Sequence, residues 1–374
     1  MAMAMTQKQR FLTAVRGEQP DVVPVAPLIH CRFAHKMLGR TDWKAVYEVH
    51  RMLGSCHHRG PVGVGWHCEM PDGYTTEGEL VSEEGPRRVN RNVMRTPLGE
   101  LTCRIMSGFA PDDPIISQPI EHYVKEKADW EIFRDFHQKR VEGFKGYATD
   151  TAEEAYDLMG EDGMPSIGIG CALSIIGTAR GMEGMLYDLV DYPDLMESVR
   201  QVVFAGLEKS FEAFLETRSE VSWYDICWVT GAHMGPEMFR KWCLPEVERV
   251  VEIVHSKPGK YIGLYTLGRI GKLMPMLVDS GVDFIETFEP NEGDMSLGEA
   301  KRLYGDRVCL MGNFDCNVLA RGTVEQARTE TRRCLEEAME GGGYVLVTAD
   351  EVPANAKLEN LKAMVETVEE HGRY

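Results

Sequence analysis

The chain has 374 residues, 43% hydrophobic and 27% charged, the composition of an ordinary globular protein long enough to bury a substantial core. Its 59 acidic and 41 basic side chains give a formal charge of −18. That excess argues against a sequence-independent nucleic-acid binder, which needs Lys and Arg to replace counterions along the phosphates, and against docking on anionic lipid. Residues 5–16 read as a helix, with Phe11, Leu12 and Val15 on one side and Gly17 as its stop. Lys8 and Arg10 interrupt this stretch where a signal peptide would be apolar. A short β-branched run, a turn and a longer amphipathic segment then alternate. The runs are 22–29, 62–66, 165–170, 221–228, 260–266, 284–288, 308–314 and 344–349. Each is apolar on both faces and bounded by Gly, Pro or charged residues, as a parallel strand covered on both sides is.

Helices are expected between these runs. In 236–255, Phe239, Trp242, Val247, Val250, Val251 and Val254 recur at helical spacing. Thr323 caps a long helix with Glu325 in its first turn and Gly341 beyond its end, and 294–304 and 358–370 behave similarly. Eight strands alternating with helices predict a closed (β/α)₈ TIM barrel, because parallel strands need helical crossovers and closure removes both edges. An open doubly wound sheet would want a glycine-rich turn after its first strand, where this chain has His30-Cys31-Arg32-Phe33. Residues 74–113 break the alternation. The runs 79–81 and 100–105, around the turn Thr96-Pro97-Leu98-Gly99, predict a β-hairpin inserted after the second strand. With no linker and no second core, the chain reads as one domain, 1–374. No apolar run reaches the ~18–20 residues that span a bilayer.

In such a barrel, polar residues at the C-terminal ends of the strands are the catalytic candidates. In strand order they are His30 and Arg32, His67, Cys171, Asp225, Tyr265, Glu286 with Glu289, Asn313 with Asp315, and Asp350 with Glu351. This ring of titratable groups suits acid–base chemistry. Asp225 lies in the apolar run of Trp223, Tyr224 and Ile226, and Glu286 follows Phe284-Ile285; a carboxylate there is costly unless paired, which favours a functional role. The catalytic candidates are therefore His67, Asp225, Tyr265, Glu286 and Asp350. Substrate contacts are expected from His30, Arg32, Trp66, Trp228, Asn313 and Glu351. Structural alternatives stand beside these roles. His67 could be a packed histidine, Tyr265 a space filler, Asp350 and Glu351 caps, Asn313 and Asp315 organisers of the seventh loop, and His233 a turn residue. Trp66, Trp223 and Trp228 could cradle a methylated ammonium ligand, or fill core. The ten cysteines include no C-x-x-C and no H-x-C spacing, so reduced thiols in a cytoplasm are expected. Cys56-His57-His58 and His67-Cys68 match no metal-binding spacing, and no metal is expected.

Several stretches resemble the uroporphyrinogen decarboxylase superfamily: RFLTAVRGEQPDVVPV from Arg10 to Val25, and GAHMGPEMF from Gly231 to Phe239 followed by Leu244-Pro245. The closing third adds GVDFIE (281–286), GDMSL (293–297), MGNFD (311–315), RGT (321–323) and GGGYVL (341–346). The resemblance implies the same barrel and two activities. One branch decarboxylates uroporphyrinogen without a cofactor; the other passes methyl groups among small substrates, corrinoid proteins and thiols, often with zinc. The decarboxylase's arginine-rich stretch after the first strand is replaced by Leu28-Ile-His-Cys-Arg-Phe33, which leaves only Arg32, and its G-H-G stretch by Ala349-Asp350-Glu351. Unpaired buried carboxylates cost several kcal/mol each, so a porphyrinogen with eight of them is disfavoured. The zinc motif of the methyltransferases is also absent: Tyr265-Thr266-Leu267-Gly268 and Asp350 occupy its places. The resemblance thus implies a methyltransferase or demethylase subunit, without the usual zinc or a tightly bound cofactor. It would move a methyl group from a small substrate to a corrinoid on a partner protein, and a homodimer is compatible with it. The alternatives are a decarboxylase or lyase acting on a small carboxylated substrate, and a non-catalytic ligand-binding relative.

Overall fold

The computed structural model describes residues 4–59, 62–109 and 116–374. The chain divides into two compact units. Both are discontinuous: the first comprises 1–64, 149–169 and 214–374, the second 65–148 and 170–213. A boundary that crosses strand ends leaves no linker composition to read.

The first unit holds the barrel. Six parallel strands, Ile167–Gly170, Val221–Asp225, Tyr261–Tyr265, Phe284–Glu286, Cys309–Met311 and Tyr344–Val345, lie side by side in chain order. Two less regular segments close the ring. Val25 bridges Leu346 in parallel, the Cys56 N–H donates to the Val25 carbonyl at 2.8 Å, and His57 bridges Gly163. The eight segments form a (β/α)₈ barrel.

The second barrel segment is therefore 56–59, not the expected 62–66. Gly65–Cys68 instead pairs antiparallel with Phe144–Ala148 in the second unit. Pairing partner, not apolarity, decides between two such short runs. The expected hairpin is larger than predicted. Thr75–Glu84, Arg87–Thr96, Gly99–Ser107 and Ser117–Glu121 form a four-stranded antiparallel sheet. Residues 110–113 of the predicted insertion lie outside the described residues. The helix expected over 236–255 is two, Pro236–Trp242 and Leu244–His255, divided at Cys243, because Pro245 lacks the N–H that a continuous helix would use.

The helix Gln7–Val15 starts with a capping box in which the Thr6 hydroxyl accepts from the Gln9 N–H and the Gln9 side chain accepts from the Thr6 N–H. It contributes Phe11, Ala14 and Val15 to the same buried cluster as Val221, Tyr265, Phe284, Met311 and Val345. Glycines make room for large rings inside the barrel. A Cβ on Gly168 would sit 2.0 Å from the Trp223 ring, and one on Gly263 2.0 Å from the Phe284 ring. No helix among the described residues is long and apolar enough to cross a membrane.

Candidate active site

Strand alternation turns Trp223 and Asp225 to the same side, and the strand pairing aligns Trp223 with Gly263 and Asp225 with Tyr265. On the next strand Glu286 is level with Tyr265. Glu286 is completely buried. Its Oε2 lies 3.6 Å from Arg59 Nη1, and its Oε1 lies 3.5 Å from His58 Nε2. Neither carboxylate oxygen, nor Arg59 Nη1, nor His58 Nε2, has a hydrogen-bond partner among the described residues. Burial pushes the Glu286 carboxyl up, but Arg59 and then His58 outweigh it and hold the group below the ordinary range. Thr287 follows at φ +66°, a conformation that costs a β-branched residue about 1–3 kcal/mol. It is held there by its N–H on the Met311 carbonyl (2.8 Å) and its hydroxyl on the Glu286 carbonyl (2.6 Å).

The guanidinium of Arg59 lies against two rings that meet edge to face, 3.7 Å from the centre of Trp223 and 3.8 Å from that of Tyr265. Burial opposes its charge; Glu286, then Tyr265, Asp225 and Glu351, more than restore it. The Tyr265 hydroxyl donates to Asp350 Oδ1 at 2.7 Å. Burial, reinforced by the Asp350 carboxylate, holds the phenol well above its ordinary value against the opposing Arg59. Asp350 Oδ1 also accepts from the Glu351 N–H at 2.7 Å. Glu351 is ion-paired with Arg32, and its Oε1 lies 3.7 Å from His30 Nε2. Above Arg59 opens a cavity of about 220 Å³ lined by Leu28, Ile29, His30, Arg59, Trp223, Asp225 and Glu351.

The structure thus brings together Asp225, Tyr265, Glu286, Asp350, Glu351, His30 and Arg32. His67 and Trp66 are elsewhere, on the antiparallel strand Gly65–Cys68 of the second unit. His67 is exposed, and Trp66 donates its indole N–H to the Gly206 carbonyl at 3.0 Å. Trp228 lies in the short 3₁₀ turn Cys227–Val229 and is 39% exposed. Asn313 is buried and receives a hydrogen bond from Arg333 at 2.9 Å, while Asp315 caps Cys316–Arg321. Glu289 accepts from the Asn291 and Glu292 N–H groups in its own turn, Cys171 is the buried N-cap of Ala172–Arg180, and His233 lies in the turn after Thr230.

His58 and Arg59 escape the sequence reading because it places the second strand too late in the chain. A signal is present all the same: a polar run, His57-His58-Arg59, directly before Gly60-Pro61. His57 and His58 have different surroundings. His57 packs against Tyr47 and His50, and burial pushes its pKa down to about 3, whereas His58 meets Glu286. Among the described residues no three His, Cys, Asp or Glu side chains converge as a metal-ligand set. Cys316 donates its thiol to the Asp350 carbonyl, and burial pushes its pKa up to about 12, which keeps it from acting as a thiolate.

These features are those of a barrel enzyme site built from strand ends. The family model for uroporphyrinogen decarboxylase (URO-D) matches residues 108–371, and the chain belongs to that family. The uroporphyrinogen decarboxylase of Thioalkalivibrio sulfidiphilus is 25% identical over 194 residues, 51% of this chain and 52% of that protein. That of Neisseria meningitidis serogroup C is 23% identical over 218 residues, 58% and 59% of the two chains. The chain spans about half the length of the curated relatives it matches. Among solved structures, a methyltransferase from Methanosarcina mazei superposes with a TM-score of 0.65 at 16% identity, covering 98% of this chain and 99% of that one. Its likeness shows the shared fold.

Proposed function

We propose that the chain moves a methyl group from a small methylated substrate, held in the barrel cavity, to a corrinoid carried by a partner protein. The observation that carries this reading is the size and charge of the cavity. About 220 Å³ is room for a small molecule. The cavity's lining holds Asp225 and Glu351 against Arg59, and Arg59 already faces Glu286 while Glu351 is already paired with Arg32. A polycarboxylate would bring further anions without fixed cations to meet them, at several kcal/mol each.

When bound, the corrinoid supplies the nucleophilic acceptor for the methyl group. The chain's own residues bind and orient the substrate and stabilise its leaving atom. Tyr265 keeps its proton throughout the neutral range, so its hydroxyl can donate to a leaving oxygen or sulfur as negative charge builds there. Asp350 holds that hydroxyl in place until then. Leu28, Ile29 and Trp223 give the cavity an apolar wall.

The test offers the protein free cob(I)alamin and a panel of small O-, S- and N-methyl compounds, and follows the cobalamin absorbance. Carbon dioxide release is measured in parallel on small carboxylated compounds. Methylcobalamin formation that falls in Tyr265→Phe supports the reading. Carbon dioxide release without methyl transfer overturns it in favour of decarboxylation. Saturable binding with neither product overturns it in favour of a ligand-binding role.

A further inference from the structure

We infer that the cavity selects a small zwitterion of amino-acid type, with the ligand's carboxylate on Arg59 and its ammonium against Asp225. The argument starts from two unfinished polar groups that line the same space. Arg59 is 13% exposed, and its guanidinium rests against the rings of Trp223 and Tyr265. Held against these rings, its planar fork can offer a carboxylate two N–H groups side by side. Glu286, at 3.6 Å, offsets the guanidinium charge but lies beyond hydrogen-bond length, and Nη1 has no acceptor among the described residues. Asp225 is the complement. One of its oxygens accepts from the Cys227 N–H at 3.0 Å, and no cation among the described residues lies within ion-pair distance of it. Glu351, the other carboxylate lining the cavity, is already matched by Arg32.

A ligand with only a carboxylate would satisfy Arg59 but add an anion beside Asp225 and Glu351. One with only an ammonium would satisfy Asp225 but leave the Arg59 donors unmet. A zwitterion completes both and adds no net charge to a desolvated site, the least costly of the three arrangements. The methyl-bearing arm of such a ligand is a separate matter, so the inference rests on the methyl-transfer reading only for the choice of methylated probes.

Three probes share one methylthio group: S-methyl-L-cysteine is zwitterionic, 2-(methylthio)ethylamine is cationic, and 3-(methylthio)propanoate is anionic. Binding to the full chain is measured by calorimetry, with no corrinoid present, so the result does not depend on turnover. The zwitterion is expected to bind at least about 30-fold more tightly than either half-ligand, the loss expected when one partner of a buried charge pair is removed. Asp225→Asn should reduce zwitterion affinity to that of the anion on the wild type. Arg59→Lys, which keeps the charge facing Glu286 but loses the planar fork, should also weaken it. Equal binding of the anion and the zwitterion, or no binding of any probe at millimolar concentration, overturns the inference. A zwitterion preference without methyl transfer would leave the ligand class standing and remove the methyl-transfer reading. Methyl transfer from neutral compounds with no zwitterion preference would do the reverse.

Discussion

Replacing Arg59 by Met strips Glu286 of its main counter-charge and leaves a shorter, apolar side chain beside Trp223 and Tyr265. Glu286 is fully buried, so water does not take over the role. At 3.6 Å and an effective dielectric of about 20, the lost attraction is about 4–5 kcal/mol. Breaking a buried pair from one side typically destabilises by about 3–5 kcal/mol, while replacing both partners with apolar groups is often neutral. Arg59→Met should therefore lower the unfolding free energy by roughly 3–5 kcal/mol at pH 7.5, and the double variant with Glu286→Leu should recover most of it. The pH dependence adds a second signature. In the wild type, Arg59 and His58 hold the folded Glu286 pKa below its ordinary value, so this group contributes stability above that value and loses it as pH falls through the folded pKa. In the variant, burial dominates and the folded pKa lies above the unfolded one. The deficit is then full at high pH and shrinks as acid protonates the carboxyl. Urea denaturation followed by tryptophan fluorescence and circular dichroism at pH 7.5 and pH 5 measures both effects. A deficit below about 1 kcal/mol, or one that does not change with pH, would refute the assignment of Arg59 as the counter-charge.

Tyr265→Phe removes the hydroxyl that donates to Asp350, and is expected to lower kcat for methyl transfer by ~10²-fold or more while costing about 1 kcal/mol of stability; unchanged kcat would exclude it from the chemistry. His57 is buried with its pKa pushed down to about 3, so the unfolded chain binds a proton that the folded one refuses between about pH 6.5 and 3. Stability should fall with pH across that window, by about 2 kcal/mol at pH 5 from this residue, and His57→Leu should remove that share of the slope; an unaltered slope assigns the acid sensitivity to other groups. Gly263→Ala places a Cβ 2.0 Å from the Phe284 ring and should cost ~1–3 kcal/mol by overpacking, read as a lower urea midpoint. An unchanged midpoint would mean that the ring has room to turn aside.

The sequence by itself determined the barrel and most of the mouth. Seven of the eight strand runs are where their β-branched, two-sided apolar pattern placed them, because a parallel strand covered on both faces has few other ways to look. Asp225, Tyr265, Glu286, Asp350 and Glu351 followed directly, since the end of a parallel strand fixes the mouth of a barrel. Tertiary structure decided the rest. The chain offers two short segments for the second strand, 56–59 and 62–66, and only their partners distinguish them: Cys56 and His57 reach Val25 and Gly163, while Gly65–Cys68 pairs with Phe144–Ala148. That choice carries Arg59 and His58 to Glu286 and takes His67 and Trp66 away. The ring contact with Arg59 was equally hidden, because Trp223 and Tyr265 lie on separate strands and face one guanidinium only once parallel register has aligned them. Local pattern sets which residues can be strands, but side-chain partnership between strands is a property of register and closure, which no single segment contains.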